Sequence, residues 1–201
     1  MTTIYASATA LLNMPKRKDF DFYPTPSSCC EDALSFLPTD FKPQCILDPG
    51  AGAGAWGKAA RKRYPATLIT GVELRPETPR PAAYNFWIHG DFLLTDAQPA
   101  FDLVIGNPPY NRAEQFVRHS MAMLEDDGYL MMLLRLNFLE SHGRGKGLYR
   151  KYPPKNVVVR AGRVSFTGDG QANATVYAYF IWQKGWMGKP TPSSRMADTP
   201  A

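Results

Sequence analysis

The residues of this chain best suited to chemistry are Asn107-Pro108-Pro109-Tyr110, which follow the short apolar run Phe101–Gly106. They set out, in order, a side-chain amide, backbone carbonyls with no adjoining N–H at the two prolines, and an aromatic ring. Acceptors beside a flat apolar face suit a planar, amine-bearing group. Leu103, Val104 and Ile105 read as a buried parallel strand. The prolines forbid that ladder from continuing and hold the next residues extended. The candidate group therefore stands at the carboxyl end of a strand, where ligands bind in an open α/β sheet.

Other strand ends supply complementary groups. Cys45-Ile46-Leu47 is a short buried strand, followed by Asp48-Pro49-Gly50-Ala51-Gly52-Ala53-Gly54-Ala55-Trp56 and a helix from Ala55 to Arg63. Strand, glycine-rich turn and helix in that order form a nucleotide-binding opening, because glycines admit a ligand close to the backbone and the helix start offers unpaired N–H groups. Thr67–Glu73 reads as a second strand. Its terminal carboxylate either takes two hydrogen bonds from ribose hydroxyls or is a surface residue at a strand end. Pro76, Pro79 and Pro81 give the next connection a looped course in place of a helix. Tyr84–Ile88 is a third strand, ending at Gly90-Asp91-Phe92.

Around these, Thr25 or Ser27 is expected to cap a helix with Pro26 in its first turn, running to Pro38. Ala113–Leu124 has helical spacing, and its methionines read as core. Tyr129–Leu134 is a continuous apolar run suited to a central strand. Arg135–Tyr152 is basic and glycine-rich and is expected to be a mobile loop, with phosphate contact and simple flexibility both open. Strands at Asn156–Val159 and Ala174–Trp182, joined by 163–172 without room for a crossover helix, should be antiparallel. The expected organisation is a flexible basic arm (1–19), one domain (20–184) and a disordered Pro/Ser/Gly-rich tail (185–201).

Composition narrows the class. A length of 201 residues suits one domain with a full core. A net charge of +5 tilts towards a polyanionic partner. Cys29, Cys30 and Cys45 give neither an even disulfide framework nor metal spacing, and His89, His119 and His142 are scattered, so no metal site is expected. No window approaches the ~18 apolar residues of a membrane span, and no signal-peptide layout is present. A cytosolic protein in a reducing compartment is expected.

In this order, the glycine-rich turn, the two strand-end acids and Asn107-Pro108-Pro109-Tyr110 resemble the S-adenosylmethionine-dependent amino-methyltransferases, particularly the N6-adenine group with an Asn-Pro-Pro-Tyr motif. The resemblance covers about residues 20–182. The opening Phe22-Tyr23-Pro24-Thr25-Pro26 and the small size look most like stand-alone DNA adenine methyltransferases of phages and prophages, which would work in bacterial or phage-infected host cytosol. The resemblance implies a class I, Rossmann-like α/β fold: a seven-stranded, mostly parallel sheet with one antiparallel strand.

Carried over by position, it implies S-adenosyl-L-methionine as cofactor. Tyr23, Thr25 and Pro26 would line its methionine end together with Asp48, Gly50, Gly52 and Gly54. Glu73 would bind the ribose, and Asp91, with Phe92 beside the ring, would accept the adenine amino group. Asn107 and Pro109 would lie where the cofactor and target pockets meet. The Asn107 side-chain oxygen and the Pro108 carbonyl would accept the two N–H groups of the target adenine amine. That arrangement favours a tetrahedral nitrogen whose lone pair points at the sulfonium methyl. Tyr110 would stack on a base flipped from the duplex. Phe138 is either a second wall of that pocket or a core residue, and Arg144 and Lys146 are candidate substrate contacts.

One departure matters. Sequence-specific members of this family usually carry a large target-recognition region, and no stretch here is long enough for one. Relaxed or very short specificity, recognition of pre-shaped or single-stranded nucleic acid, or help from another subunit is therefore expected. DNA is the expected partner. Structured RNA, the side-chain amide of a protein glutamine, and a nucleic-acid-binding protein without turnover are the alternatives. The sequence leaves the oligomeric state open, a homodimer included.

Overall fold

The computed structural model of the chain describes residues 24–160, 164 and 175–195. The expected arm, Tyr23 and nearly all of the 163–172 connection lie outside the described residues. Strands β1 (Cys45–Asp48), β2 (Leu68–Glu73), β3 (Phe86–His89), β4 (Phe101–Gly106), β5 (Leu124–Arg135), β6 (Asn156–Arg160), β7 (Tyr177–Gln183) and β8 (Thr191–Arg195) form one sheet. Its order is β3-β2-β1-β4-β5-β7-β6-β8. Only β7 runs against its neighbours, β5 and β6; every other pairing is parallel.

Helices α1 (Ser27–Leu34) and α2 (Ala55–Arg63) cover one face, and α3 (Ala113–Met123) covers the other. Period-two alternation divides each central strand between two cores. Leu103 and Ile105 join Cys30, Leu34 and Ala60 on the first face. Val104 joins Phe116, Val117 and Met121 on the second. Burial on both faces explains why these strands read as unbroken apolar runs.

Three expectations change. The sheet has eight strands where seven were expected, because Thr191–Arg195 pairs in parallel with β6. The composition of this stretch suggests a disordered tail, but Pro192 is tolerated on an edge strand, and the open edge of β6 supplies the ladder. Arg135–Tyr152 is no loop: it folds into a 3₁₀ turn (Leu136–Glu140), α4 (His142–Lys146) and α5 (Leu148–Lys151). Leu148 is completely buried there, and Ser141 accepts from Arg144 N to cap α4. Finally, Pro26 is the N-cap residue of α1 and no side chain caps that helix. Thr25 uses its hydroxyl elsewhere. The β2–β3 connection has no helix, as expected.

Candidate active site

A cleft of about 870 Å³, counting its open mouth, lies at the carboxyl ends of the strands. Thr25, Gly50, Gly52, Glu73, Asp91, Phe92 and Asn107, from the expected cofactor set, all line it, together with Pro109. Pro26, Asp48, Gly54, Pro108 and Tyr110 do not.

The glycine-rich turn is built by strand ends and left-handed backbone. Gly52 and Gly54 have φ of 52° and 82°, and a Cβ at Gly54 would come within 2.7 Å of the Pro81 ring. Glycine is required there on both counts. Gly52 N–H donates to Glu73 Oε2 at 2.7 Å, so the acid ending β2 pins the turn following β1. Glu73 Oε1 accepts from Arg75 N and Nε at 3.0 and 2.8 Å. This carboxylate is buried and structural on one side, yet it still lines the cleft.

Asp48 is completely buried beneath the turn and does not reach the cleft, which corrects its expected place among the cofactor contacts. The Tyr84 hydroxyl donates to its Oδ2 at 2.7 Å. Burial pushes the Asp48 carboxyl up to about 7, against the pull of that hydrogen bond. Its role is to hold Tyr84, and with it the β2–β3 connection, under α2. Asp91 has a different setting. Its Oδ1 accepts from Leu93 N at 3.0 Å, and its Oδ2 accepts from both Arg112 terminal nitrogens at 3.1 Å. Phe92 is buried against Phe116 and His119, with ring centroids 5.0 and 4.7 Å away.

At the end of β4, Asn107 Nδ2 donates to Thr25 Oγ1 at 3.1 Å, while Asn107 Oδ1 is buried without a hydrogen-bond partner. Trp56, on the first turn of α2, lines the same cleft with its indole N–H likewise buried and unpartnered. An orphan acceptor and an orphan donor beside left-handed glycines, with Glu73 and Asp91 further along, fit a ligand bearing amino-acid and nucleoside ends.

Beyond Asn107-Pro108-Pro109 a second cavity of about 560 Å³ opens, lined by Tyr110, Leu134, Arg135, Phe138 and Arg144 among others. The Arg135 guanidinium lies 4.7 Å from the Tyr110 ring centre, and the Tyr177 ring is 5.7 Å away. Burial, with Tyr177 beside it, drives the Tyr110 phenol well above its ordinary pKa. Phe138 lines this cavity and also packs edge-on against Phe180 at 5.5 Å. Arg144 lies 4.4 Å over its ring and donates Nε to Phe138 O at 2.7 Å. Lys146 lines neither cavity.

Sequence reasoning missed Trp56, Arg75, Arg112 and Arg135. Trp56 follows directly on the glycine turn and could have been found by extending that motif into α2. The arginines carry no local signal, since their partners are fixed only by the fold. Among the described residues, no group of three or more His, Cys, Asp or Glu side chains is placed to hold a metal, and no helix is long and apolar enough to cross a membrane.

No protein-family model matches the chain. It is similar to type II methyltransferase M.CvrRI of Paramecium bursaria Chlorella virus XZ-6E, 31% identical over 152 residues, covering 65% of this chain and 40% of that protein. It is also similar to the tRNA1(Val) (adenine(37)-N6)-methyltransferase of Aliivibrio fischeri (strain ATCC 700601 / ES114), 37% identical over 81 residues and 35% of each chain. The chain thus spans well under half the length of either relative. Among solved structures, a putative class I S-adenosylmethionine-dependent methyltransferase from Listeria monocytogenes has a TM-score of 0.66 at 13% identity, covering 95% of this chain and 70% of that one. The type I restriction enzyme EcoKI M protein has a TM-score of 0.65 at 17% identity, covering 89% and 49%. The fold is therefore that of the class I S-adenosylmethionine-dependent methyltransferases, with an eighth strand. The resemblance to the N6-adenine methyltransferase family is upheld by relatives that carry that activity in their names.

Proposed function

We propose that this chain transfers a methyl group from S-adenosylmethionine to N6 of adenine in DNA. The observation that carries the proposal is the place of Asn107-Pro108-Pro109-Tyr110. Asn107 and Pro109 line the cleft and Tyr110 lines the second cavity, so the motif is the partition between a cofactor-sized site and an aromatic slot. Bound S-adenosylmethionine would supply an electrophilic methyl on its sulfonium.

The chain's own residues do the rest. With the Asn107 amide nitrogen on the Thr25 hydroxyl, the unpartnered Oδ1 would be the acceptor for an incoming amine. Asn107 Oδ1 and the Pro108 carbonyl take the two N–H groups of adenine N6, whose lone pair is otherwise delocalised into the ring. As the nitrogen–methyl bond forms and the sulfonium carbon–sulfur bond breaks, S-adenosylhomocysteine would be the leaving group. The positively charged N6 would then release one of its two protons to water. Acceptors already in place need no reorganisation as that nitrogen becomes tetrahedral. Glu73 and Asp91 provide acceptors for ribose hydroxyls and for the cofactor's adenine amine, while Arg75 and Arg112 hold those two carboxylates in position.

DNA is favoured over RNA by the longer match. The type II methyltransferase aligns over 152 residues, the tRNA methyltransferase over 81. The net charge of +5 suits either polyanion. The test offers labelled S-adenosylmethionine with DNA, tRNA and protein in separate reactions. N6-methyladenine should be recovered from DNA hydrolysates. Label in tRNA alone would move the substrate to RNA, and label in protein alone would sink the adenine assignment.

A further inference from the structure

We infer that Arg135 occupies the slot of the target adenine and is a positioning residue for it, covering Tyr110 while no base is present and passing to the nucleic-acid backbone when one enters. The inference rests on the second cavity being the acceptor site proposed above.

Three observations carry it. First, the guanidinium carbon of Arg135 lies 4.7 Å from the centre of the Tyr110 ring, and both groups line the second cavity. A guanidinium is flat, delocalised and stacks on aromatic rings much as the face of a base does. A base cannot share that ring face with it. Second, Arg135 Nε is buried and makes no hydrogen bond. A buried, unanswered donor on a cation is unfavourable, so a phosphate oxygen is a better partner than the ring. Third, the neighbouring arginine shows what a fixed one looks like. Arg144 lies over Phe138 at 4.4 Å, but its Nε and Nη2 are anchored on Phe138 O and Asn137 O at 2.7 and 3.5 Å. Arg144 is built into the wall, whereas Arg135 is held by stacking on Tyr110.

Position in the sheet gives the motion its direction. Arg135 is the last residue of β5 and pairs across the ladder with Tyr177 on β7. Tyr177 is 2% exposed and its ring stays against Tyr110. When Arg135 leaves, Tyr110 keeps its support and presents a stacking platform, with Phe138 facing the same cavity. A phosphate beside an extruded adenine would draw the cation off the ring. A free nucleoside, with no phosphate, would have to displace it unaided.

The test compares Arg135→Ala with wild type in binding adenosine and a short single-stranded oligodeoxynucleotide containing one adenine, by equilibrium dialysis without cofactor. Loss of an ordinary cation–π contact should tighten adenosine binding roughly three- to tenfold. Oligonucleotide binding should weaken, and its dependence on salt should drop by about one phosphate contact. Arg135→Met, which restores the side-chain volume without charge, should show the same opposite shifts and controls for loosened packing. Parallel weakening of both ligands in both variants, or no change in either, would overturn the inference. Methyl transfer is scored separately. A wild-type protein that methylates no adenine acceptor refutes the proposed activity, while the dialysis comparison still decides whether Arg135 holds the slot.

Discussion

Asn107 at the end of β4 donates its side-chain amide to the Thr25 hydroxyl across 3.1 Å, joining positions 82 residues apart. Thr25 stands just before α1, on a different layer of the fold, and both residues line the cleft. With the amide nitrogen on Thr25, Asn107 Oδ1 is left buried without a partner of its own. The helix α1 itself starts without a side-chain cap because its N-cap residue is Pro26, which carries no polar side chain.

Thr25→Val keeps the shape of Thr25 but removes its acceptor. Asn107 Nδ2 then loses its partner at about 1–3 kcal/mol, and the amide is free to turn. Transfer should fall about tenfold, carried mainly by kcat, because acceptor geometry matters most at the transition state. Thr25→Ser should recover most of the loss. Steady-state kinetics with denaturant unfolding checks both, and a Thr25→Val enzyme with wild-type kcat would refute the tether.

Asn107→Ala removes the proposed acceptor itself. Oδ1 has no intramolecular partner, so the fold loses little beyond the bond to Thr25. Methyl transfer should drop by at least about a hundredfold, with far-ultraviolet dichroism unchanged. Transfer retained within about tenfold would place the decisive group elsewhere.

Glu73 joins three parts of the site: the glycine turn through Gly52, the cleft, and Arg75. Glu73→Gln puts an NH2 on a group where three donors now converge, so either Gly52 or Arg75 is left facing another donor. Binding of S-adenosylhomocysteine, followed by calorimetry, should weaken about ten- to a hundredfold, with a stability loss of about 2 kcal/mol. Unaltered affinity would remove Glu73 from the cofactor site.

Much of this was legible in the chain. The central strands announce themselves because residues such as Leu103, Val104 and Ile105 are buried on both faces, and the Ala55–Arg63 helix follows its glycine turn where expected. The groups at strand ends could be named because each strand stops at a recognisable break. Long-range pairings were not legible. Nothing near Arg112 or Arg135 in sequence points to Asp91 or Tyr110, since those distances are set by strand order. Composition misled at two places. Gly143, Gly145 and Gly147 read as a loop, yet the fully buried Leu148 anchors a folded segment. Pro192 and the serines after it read as disorder, yet the edge of β6 supplies a ladder. Asp48 misled differently: its place in the glycine motif suggested a ligand contact, while its carboxylate faces Tyr84 inside the protein.

That interior carboxylate gives a pH dependence with a definite sign. Asp48 has its pKa raised from 3.8 to about 7, chiefly by burial. Between those values the folded protein holds a proton that the unfolded chain has released, so acid favours folding through this group. Its contribution is complete below about pH 4 and is lost as pH rises through about 7. Asp48→Asn keeps an oxygen for the Tyr84 hydroxyl and carries no charge at any pH. In denaturant titrations without ligand from pH 5 to 8.5, wild type should lose stability relative to the variant as pH rises, and the variant should be the more stable protein at pH 8.5. Parallel stability curves for the two proteins across that range would show that Asp48 does not take up the proton.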